Sequence, residues 1–186
     1  DGDLDLFVAN GATLDDPEHG PGSRLFENIS DENGILFKDV TTGSGIRISR
    51  WAMGAAAGDH DGDGHVDLYV TCYGPNILLR NRGDGTFEDA TEKAGVGTTG
   101  WSTSAAFGDL DADGDLDLFV VNYLEFDHEQ PPERSLYKGH DVMGGPHGLP
   151  ATGDVLFENI GNGRFRDATA SSGLAEVEPA IAEVEV

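Results

Sequence analysis

Cysteine, basic residues and long apolar runs are what this chain has least of. A single cysteine, Cys72, stands among 186 residues, so no internal disulfide can form and the redox compartment is left open. Lys and Arg number 11 against 35 Asp and Glu, for a formal charge of −24. A surface this acidic is repelled by phosphate backbones and anionic lipid, which excludes nucleic acid and membrane surfaces as partners. No window holds the ~18 consecutive apolar residues of a helical membrane span, and no basic, then apolar, leader opens the chain; any signal peptide is expected to have been removed or to lie outside this stretch. Sustained 3.6-residue periodicity is missing too, so helical bundles and helical solenoids drop out. Neither a Gly-x-Ser-x-Gly elbow, a phosphate-binding loop nor a His-Glu-x-x-His pair occurs, and the expectation is a chain without catalytic activity of its own.

What the chain does have is glycine and repetition. Its 27 glycines are about twice the usual ~7% share, pointing to many tight turns, and 38% hydrophobic residues suffice for a core. One pattern recurs at an offset of 50 residues: Trp51-Ala-Met-Gly-Ala-Ala-Ala-Gly-Asp59-His-Asp61-Gly-Asp63-Gly-His65-Val-Asp67 and Trp101-Ser-Thr-Ser-Ala-Ala-Phe-Gly-Asp109-Leu-Asp111-Ala-Asp113-Gly-Asp115-Leu-Asp117. A third copy is cut, since Asp1-Gly-Asp-Leu-Asp5-Leu-Phe-Val8 aligns with residues 113–120. Each copy continues into a hairpin signal, Asn81-Arg-Gly-Asp-Gly-Thr-Phe87 and Asn159-Ile-Gly-Asn-Gly-Arg-Phe165, more loosely Asn28 through Phe37. A Gly plus aliphatic pair then closes it: Gly45-Ile46, Gly95-Val96 and Gly173-Leu174. The third Asp of the loop precedes that Phe by 24 residues in the middle copy, 36 in the first and 52 in the last. Insertions of 12 and 28 residues therefore enter near 10–21 and 123–154.

The short β-branched and aromatic runs at 67–71 and 117–121 and the hairpin signals read as about four antiparallel strands per copy, and the Gly/Ala stretch 54–58 as a strand where space is tight. Four-stranded units of ~40 to 50 residues predict an all-β fold of propeller blades. The division is a partial first blade with insertion at 1–50, a complete blade at 51–100, a complete blade with the long insertion at 101–175, and a tail or start of another blade at 176–186. About three blades make an open arc, because closure needs at least ~4.

The spacing Asp-x-Asp-x-Asp-Gly-x-x-Asp places short carboxylates at alternate positions of a tight loop, an oxygen cage for a hard cation. Asp59, Asp61 and Asp63 would supply side-chain oxygen, His65 its carbonyl and Asp67 a carboxylate. Asp109, Asp111, Asp113, the Asp115 carbonyl and Asp117 repeat the set. With a water this approaches the ~6 to 8 oxygens that Ca²⁺ prefers; Mg²⁺ demands a smaller, rigid octahedron, and Zn²⁺ lacks Cys or clustered His. Carboxylates ~4 Å apart repel by roughly 4 kcal/mol per pair at an effective dielectric near 20, so without metal the loops should open or protonate. An EF-hand is rejected, because it needs flanking helices and Glu at position twelve, where this chain has Val70 and Val120. The half loop at Asp1 and Asp5 has lost two ligands and is expected to bind weakly or not at all.

These residues resemble the FG-GAP or VCBS repeat proteins, calcium-binding β-propellers with blades like those of the integrin α-subunit head. The carriers are Phe107-Gly108, Gly54-Ala55, the two full Asp loops and the Asn-x-Gly hairpins. Within that family, Tyr73-Gly-Pro-Asn76, Asp89-Ala-Thr-Glu-Lys-Ala-Gly-Val96, Tyr137-Lys-Gly139 and Gly145-Pro-His-Gly-Leu-Pro150 are similar to the cartilage acidic protein group. Relatives there carry a cysteine pair in the long insertion, at what are here Ser135 and Gly144. The resemblance implies Ca²⁺ with a structural role in an extracellular, periplasmic or cell-surface interaction or adhesion module. Its partner would be a protein or glycan at the inter-blade loops, with missing blades or another chain at the open edges. Two alternatives stand beside it: the propeller portion of a larger secreted enzyme, and a carbohydrate-binding module using Tyr123, Phe126 or Tyr137.

Sharper features have plainer readings. Arg82-Gly83-Asp84 spells an integrin-recognition tripeptide, but Ile160-Gly-Asn occupies the same positions in the last copy, so turn geometry accounts for it. His128, His140 and His147 with Asp127 and Asp141 match no metal or hydrolase spacing. His60 and His65 are expected to face solvent. Trp51 and Trp101 share one repeat position, which predicts a core or interface role.

Overall fold

The computed structural model describes residues 3–13, 15–132, 135–142 and 149–174. Each copy of the repeat builds one antiparallel sheet. The middle copy forms β4 (Ala52–Gly58), β5 (Asp67–Cys72), β6 (Ile77–Asn81) and β7 (Phe87–Asp89) in spatial order 4-5-6-7. The last copy repeats it with β8 (Ser102–Gly108), β9 (Asp117–Asn122), β12 (Val155–Asn159) and β13 (Phe165–Asp167), and the first contributes the three-stranded sheet β1 (Leu6–Val8), β2 (Arg24–Asn28), β3 (Phe37–Asp39). The protein is thus nearly all β, with three meandering sheets consistent with incomplete propeller blades and no closed sheet among the described residues. No described helix is long and apolar enough to cross a membrane.

Strand period decides where the core lies. Successive side chains of a strand point to opposite faces, and β5 is buried along its whole length. Leu68, Val70 and Cys72 face the first sheet, where they meet Leu25, Ile46 and Ile48. Tyr69 enters the other cluster, with Val96 of its own copy and Leu118, Val120 and Phe157 of the third. The closing Gly-aliphatic pairs feed these seams. Gly45 and Gly95 both take φ +78°, a left-handed turn open to glycine without steric penalty, and Ile46 and Val96 are delivered inward at 5% and 0% exposure. Tyr69 Oη donates to the Val96 carbonyl at 2.9 Å. Leu174, the third such residue, stays 37% exposed.

The small residues of β4 act as expected. A Cβ on Gly54 would stand 3.1 Å from the Thr103 carbonyl of β8, so a larger side chain would push the sheets apart. Trp51 and Trp101 bridge the sheets at 6.3 Å between ring centroids, with Tyr73 5.5 Å from Trp101.

Two one-turn helices, α1 (Thr41–Ser44) and α2 (Thr91–Ala94), follow β3 and β7; the sequence reading, which looked for longer periodicity, missed them. Each begins on an Asp-x-Thr step, a step that Asp167–Thr169 repeats in the last copy as a turn without an α-helix. The Asp side chain accepts the Thr N–H at 3.0 Å in both copies, while Thr41 and Thr91 Oγ1 accept the N–H of Leu25 and Leu78 on the neighbouring strand.

The long insertion returns to the sheet through the bridge Leu124↔Ala151 and carries the hairpin β10 (Ser135–Tyr137) and β11 (His140–Val142). Tyr73 Oη donates to the Phe126 carbonyl at 2.9 Å, tying it to the middle sheet. Gly144, the motif residues 145–148 with His147, the tail 176–186 and Asp1 lie outside the described residues.

Candidate metal centre

Each acidic loop joins the first strand of a full sheet to the second, and the strands bring the carboxylates together. Oxygens of Asp59, Asp61 and Asp63 lie within 4.8 Å of one another, as do those of Asp109, Asp111 and Asp113. The loops are shaped by their own backbone amides. Asp59 accepts the N–H of Asp63 and Gly64, at 3.1 and 2.8 Å, and Asp63 accepts that of His65 at 2.9 Å. In the other loop Asp109 accepts from Gly114, Asp111 from Asp113 and Asp113 from Asp115. His65 is exposed, as expected.

The ninth-position aspartates have an additional structural role. Asp67 is fully buried; its Oδ2 accepts the His60 N–H at 3.0 Å and its Oδ1 the Asn81 N–H at 2.7 Å. Asp117 does the same with Leu110 and Asn159, at 3.0 and 2.8 Å, and Asp5 accepts from Asn28. The three asparagines reciprocate: Asn28, Asn81 and Asn159 each donate through Nδ2 to the carbonyl just before that aspartate, at 3.0–3.1 Å. This Asp–Asn clamp locks every loop to its third strand. Sequence reading quoted these asparagines only as hairpin residues, although their recurrence in all three copies was the available signal.

His60 is a correction. It is 4% exposed, not solvent-facing: its Nδ1 lies 2.5 Å from Asp67 Oδ2, its ring stacks on Phe165, and its carbonyl accepts Asn159 Nδ2 at 2.9 Å. It also groups with Asp61 and Asp67. The hairpin of the third sheet covers this loop closely enough that a Cβ on Gly163 would meet Asp61 Cβ at 2.9 Å. Position, not residue type, buries this histidine: Leu110, its counterpart in the last copy, is 63% exposed.

The donor set suits a hard cation. All grouped side chains of the two Asp triads offer carboxylate oxygen, the chemistry Ca²⁺ takes. Asp61 Oδ1 is buried with no hydrogen-bond partner, an arrangement that is costly unless something positive completes it. Burial alone would raise the Asp61 pKa, but the Arg80 guanidinium outweighs it and holds the carboxyl below the usual range. Asp111 goes the other way, pushed up by desolvation and by the charges of Asp113, Asp117 and Asp109.

The loops differ in backbone strain. Gly62 adopts φ +70°, and its counterpart Ala112 adopts φ +64°. That region costs a residue with Cβ about 1–2 kcal/mol, partly offset by glycine's larger entropy loss on folding. Ala112→Gly is therefore expected to stabilise the protein by about 0.5–1 kcal/mol, measured by urea denaturation in chelator.

The tripeptide Arg82-Gly83-Asp84 forms the β6–β7 turn. Arg82 pairs with Glu88, Gly83 has φ +74°, and Asp84 Oδ1 accepts both the N–H and hydroxyl of Thr86.

A family model described as FG-GAP-like repeat matches residues 1–70 and 59–120, and both ranges contain the acidic loop of the middle copy. No curated protein matches the chain.

Proposed function

This chain belongs to the FG-GAP-like repeat family, and from that premise we propose that it is a calcium-stabilised segment of a β-propeller serving as an extracellular protein-interaction scaffold. The observation that carries the calcium reading is the paired Asp triads, with one buried carboxylate oxygen of Asp61 left without a donor. Asp59, Asp61, Asp63 and Asp67 with the His65 carbonyl would hold one ion. Asp109, Asp111, Asp113 and Asp117 with the Asp115 carbonyl would hold the other. The blades run 1–50, 51–100 and 101–175, and the cation's role is to neutralise the turn between the inner strands of a blade. Loops of this class with affinities of ~10⁻⁴ to 10⁻³ M are filled by extracellular calcium. Recognition then falls to the inter-blade loops and the 123–154 insertion, presented by a rigid sheet framework, and the protein's own role is binding rather than catalysis.

Calorimetric titration of the metal-stripped chain with CaCl₂ tests this. Two sites are expected, Asp61→Ala removing one and Asp111→Ala the other, with the melting temperature rising on calcium addition. Absence of binding heat and of any thermal shift would leave the loops as acidic turns and remove the argument for a calcium-rich compartment.

A further inference from the structure

The two acidic loops share a spacing but not a charge environment. Behind each runs a cross-strand ion pair, and its polarity is reversed in the middle copy: Arg80 faces Glu88 there, whereas Glu158 faces Arg166 and Glu27 faces Lys38 in the others. In those two copies the pair closes on itself, Arg166 on both oxygens of Glu158 at 2.7 and 2.6 Å and Lys38 on Glu27 at 3.0 Å. Arg80 reaches instead into the loop. Its Nε donates to Asp61 Oδ2 and its Nη2 to Asp63 Oδ2, both at 2.5 Å, leaving Glu88 3.6 Å from Nη1. Among the described residues no ion pair reaches Asp109, Asp111 or Asp113.

Resting on the calcium reading above, we propose that Arg80 is a resident counter-cation that competes with Ca²⁺ for Asp61 and Asp63. The loop at 59–67 then keeps its shape without metal and binds it weakly. The loop at 109–117, which has no such cation among the described residues, is the tight site and the one whose order depends on metal.

The chemistry favours exchange over simple blocking. A guanidinium spans two carboxylates with separate N–H donors, but it brings one positive charge where Ca²⁺ brings two. It also leaves Asp61 Oδ1 without a partner. Arg80 has a second position within reach, because Glu88 stands beside it and is held in place by Arg82 Nε and Nη2 at 3.0 and 2.5 Å. An incoming ion can therefore release the guanidinium to the pairing that the other copies already show. Half of the metal-binding capacity would thereby respond only at higher calcium.

The test is calorimetry with CaCl₂ on the full 186-residue chain, with thermal melts in chelator. Wild type is expected to show one tight and one weak site. Arg80→Gln should tighten the weak site by roughly ten- to a hundredfold, leave the tight one unchanged and lower the chelated melting temperature. The double variant Arg80→Glu/Glu88→Arg recreates the polarity of the third sheet and should tighten the same site. Asp111→Ala should remove the tight site and leave the Arg80-sensitive one. Two sites of equal affinity, neither moved by either Arg80 variant, would overturn the role of Arg80 while leaving calcium binding intact. No calcium heat in any variant would overturn the calcium reading and this proposal with it.

Discussion

Asp67→Ala is expected to destabilise the protein by about 3–5 kcal/mol with calcium chelated, a loss that a pure metal ligand would not produce. The carboxylate is fully buried and accepts the backbone N–H of His60 and Asn81 while pairing with the His60 ring. Truncation strands the buried amide and imidazole of His60 and the half-buried amide of Asn81. Each unmet buried donor costs roughly 1–3 kcal/mol, and the three stranded groups together reach the expected range. Asp63→Ala is the contrast: its side chain is 25% exposed, and the loss in chelator should stay within about 1 kcal/mol. Urea denaturation of both variants, with and without calcium, separates the roles. If Asp67→Ala matched wild type in chelator and lost stability only against the calcium-loaded protein, the clamp would carry no folding energy.

Asn76→Ala is expected to cost about 2–4 kcal/mol and to open the seam between the second and third sheets. Asn76 is 1% exposed; its Oδ1 accepts the Cys72 N–H at 2.8 Å, and its Nδ2 donates to Thr98 Oγ1 and Ser102 Oγ at 2.6 and 2.8 Å. Ser102 passes the chain on to Asn122 Oδ1 at 2.7 Å. Alanine leaves the Cys72 amide orphaned and a cavity beside it, two penalties that add. Cys72 supplies a second readout. Its thiol is buried and its pKa pushed up to about 11 by that burial, so native protein should resist alkylation near pH 8, because the thiolate is both scarce and enclosed. Faster Cys72 labelling in the variant is the expected companion of the stability loss. Unchanged stability together with unchanged labelling would show that the network contributes nothing to the seam.

Much of this architecture was legible in the residues. The short β-branched and aromatic runs at 67–71 and 117–121, together with the Asn-x-Gly hairpins, placed β5, β6, β7, β9, β12 and β13, because β propensity and turn chemistry are local properties. The Gly/Ala run 54–58 announced β4 and its close approach to a neighbour, now seen at Gly54 and Thr103. The Asp triads were visible as triads for the same reason: alternate positions of one tight loop converge wherever that loop sits. Less visible were α1 and α2, since a single turn held by an Asp-x-Thr step has no periodicity to detect. His60 was misread because a loop position looks exposed until another sheet arrives to cover it.

The sequence by itself determined the repeat, the strands within each copy and the carboxylate spacing, all set by interactions among residues close along the chain. Only the tertiary structure decided which partner each charged group takes. Asn159 meets the His60 carbonyl across 99 positions, and Arg80 reaches Asp61 and Asp63 from 19 and 17 positions away while Glu158, at the same repeat position, pairs with Arg166 instead. The physical reason is that Coulomb and hydrogen-bond energies depend on distance and burial, and both follow from how the sheets stack rather than from how the motif is spelled.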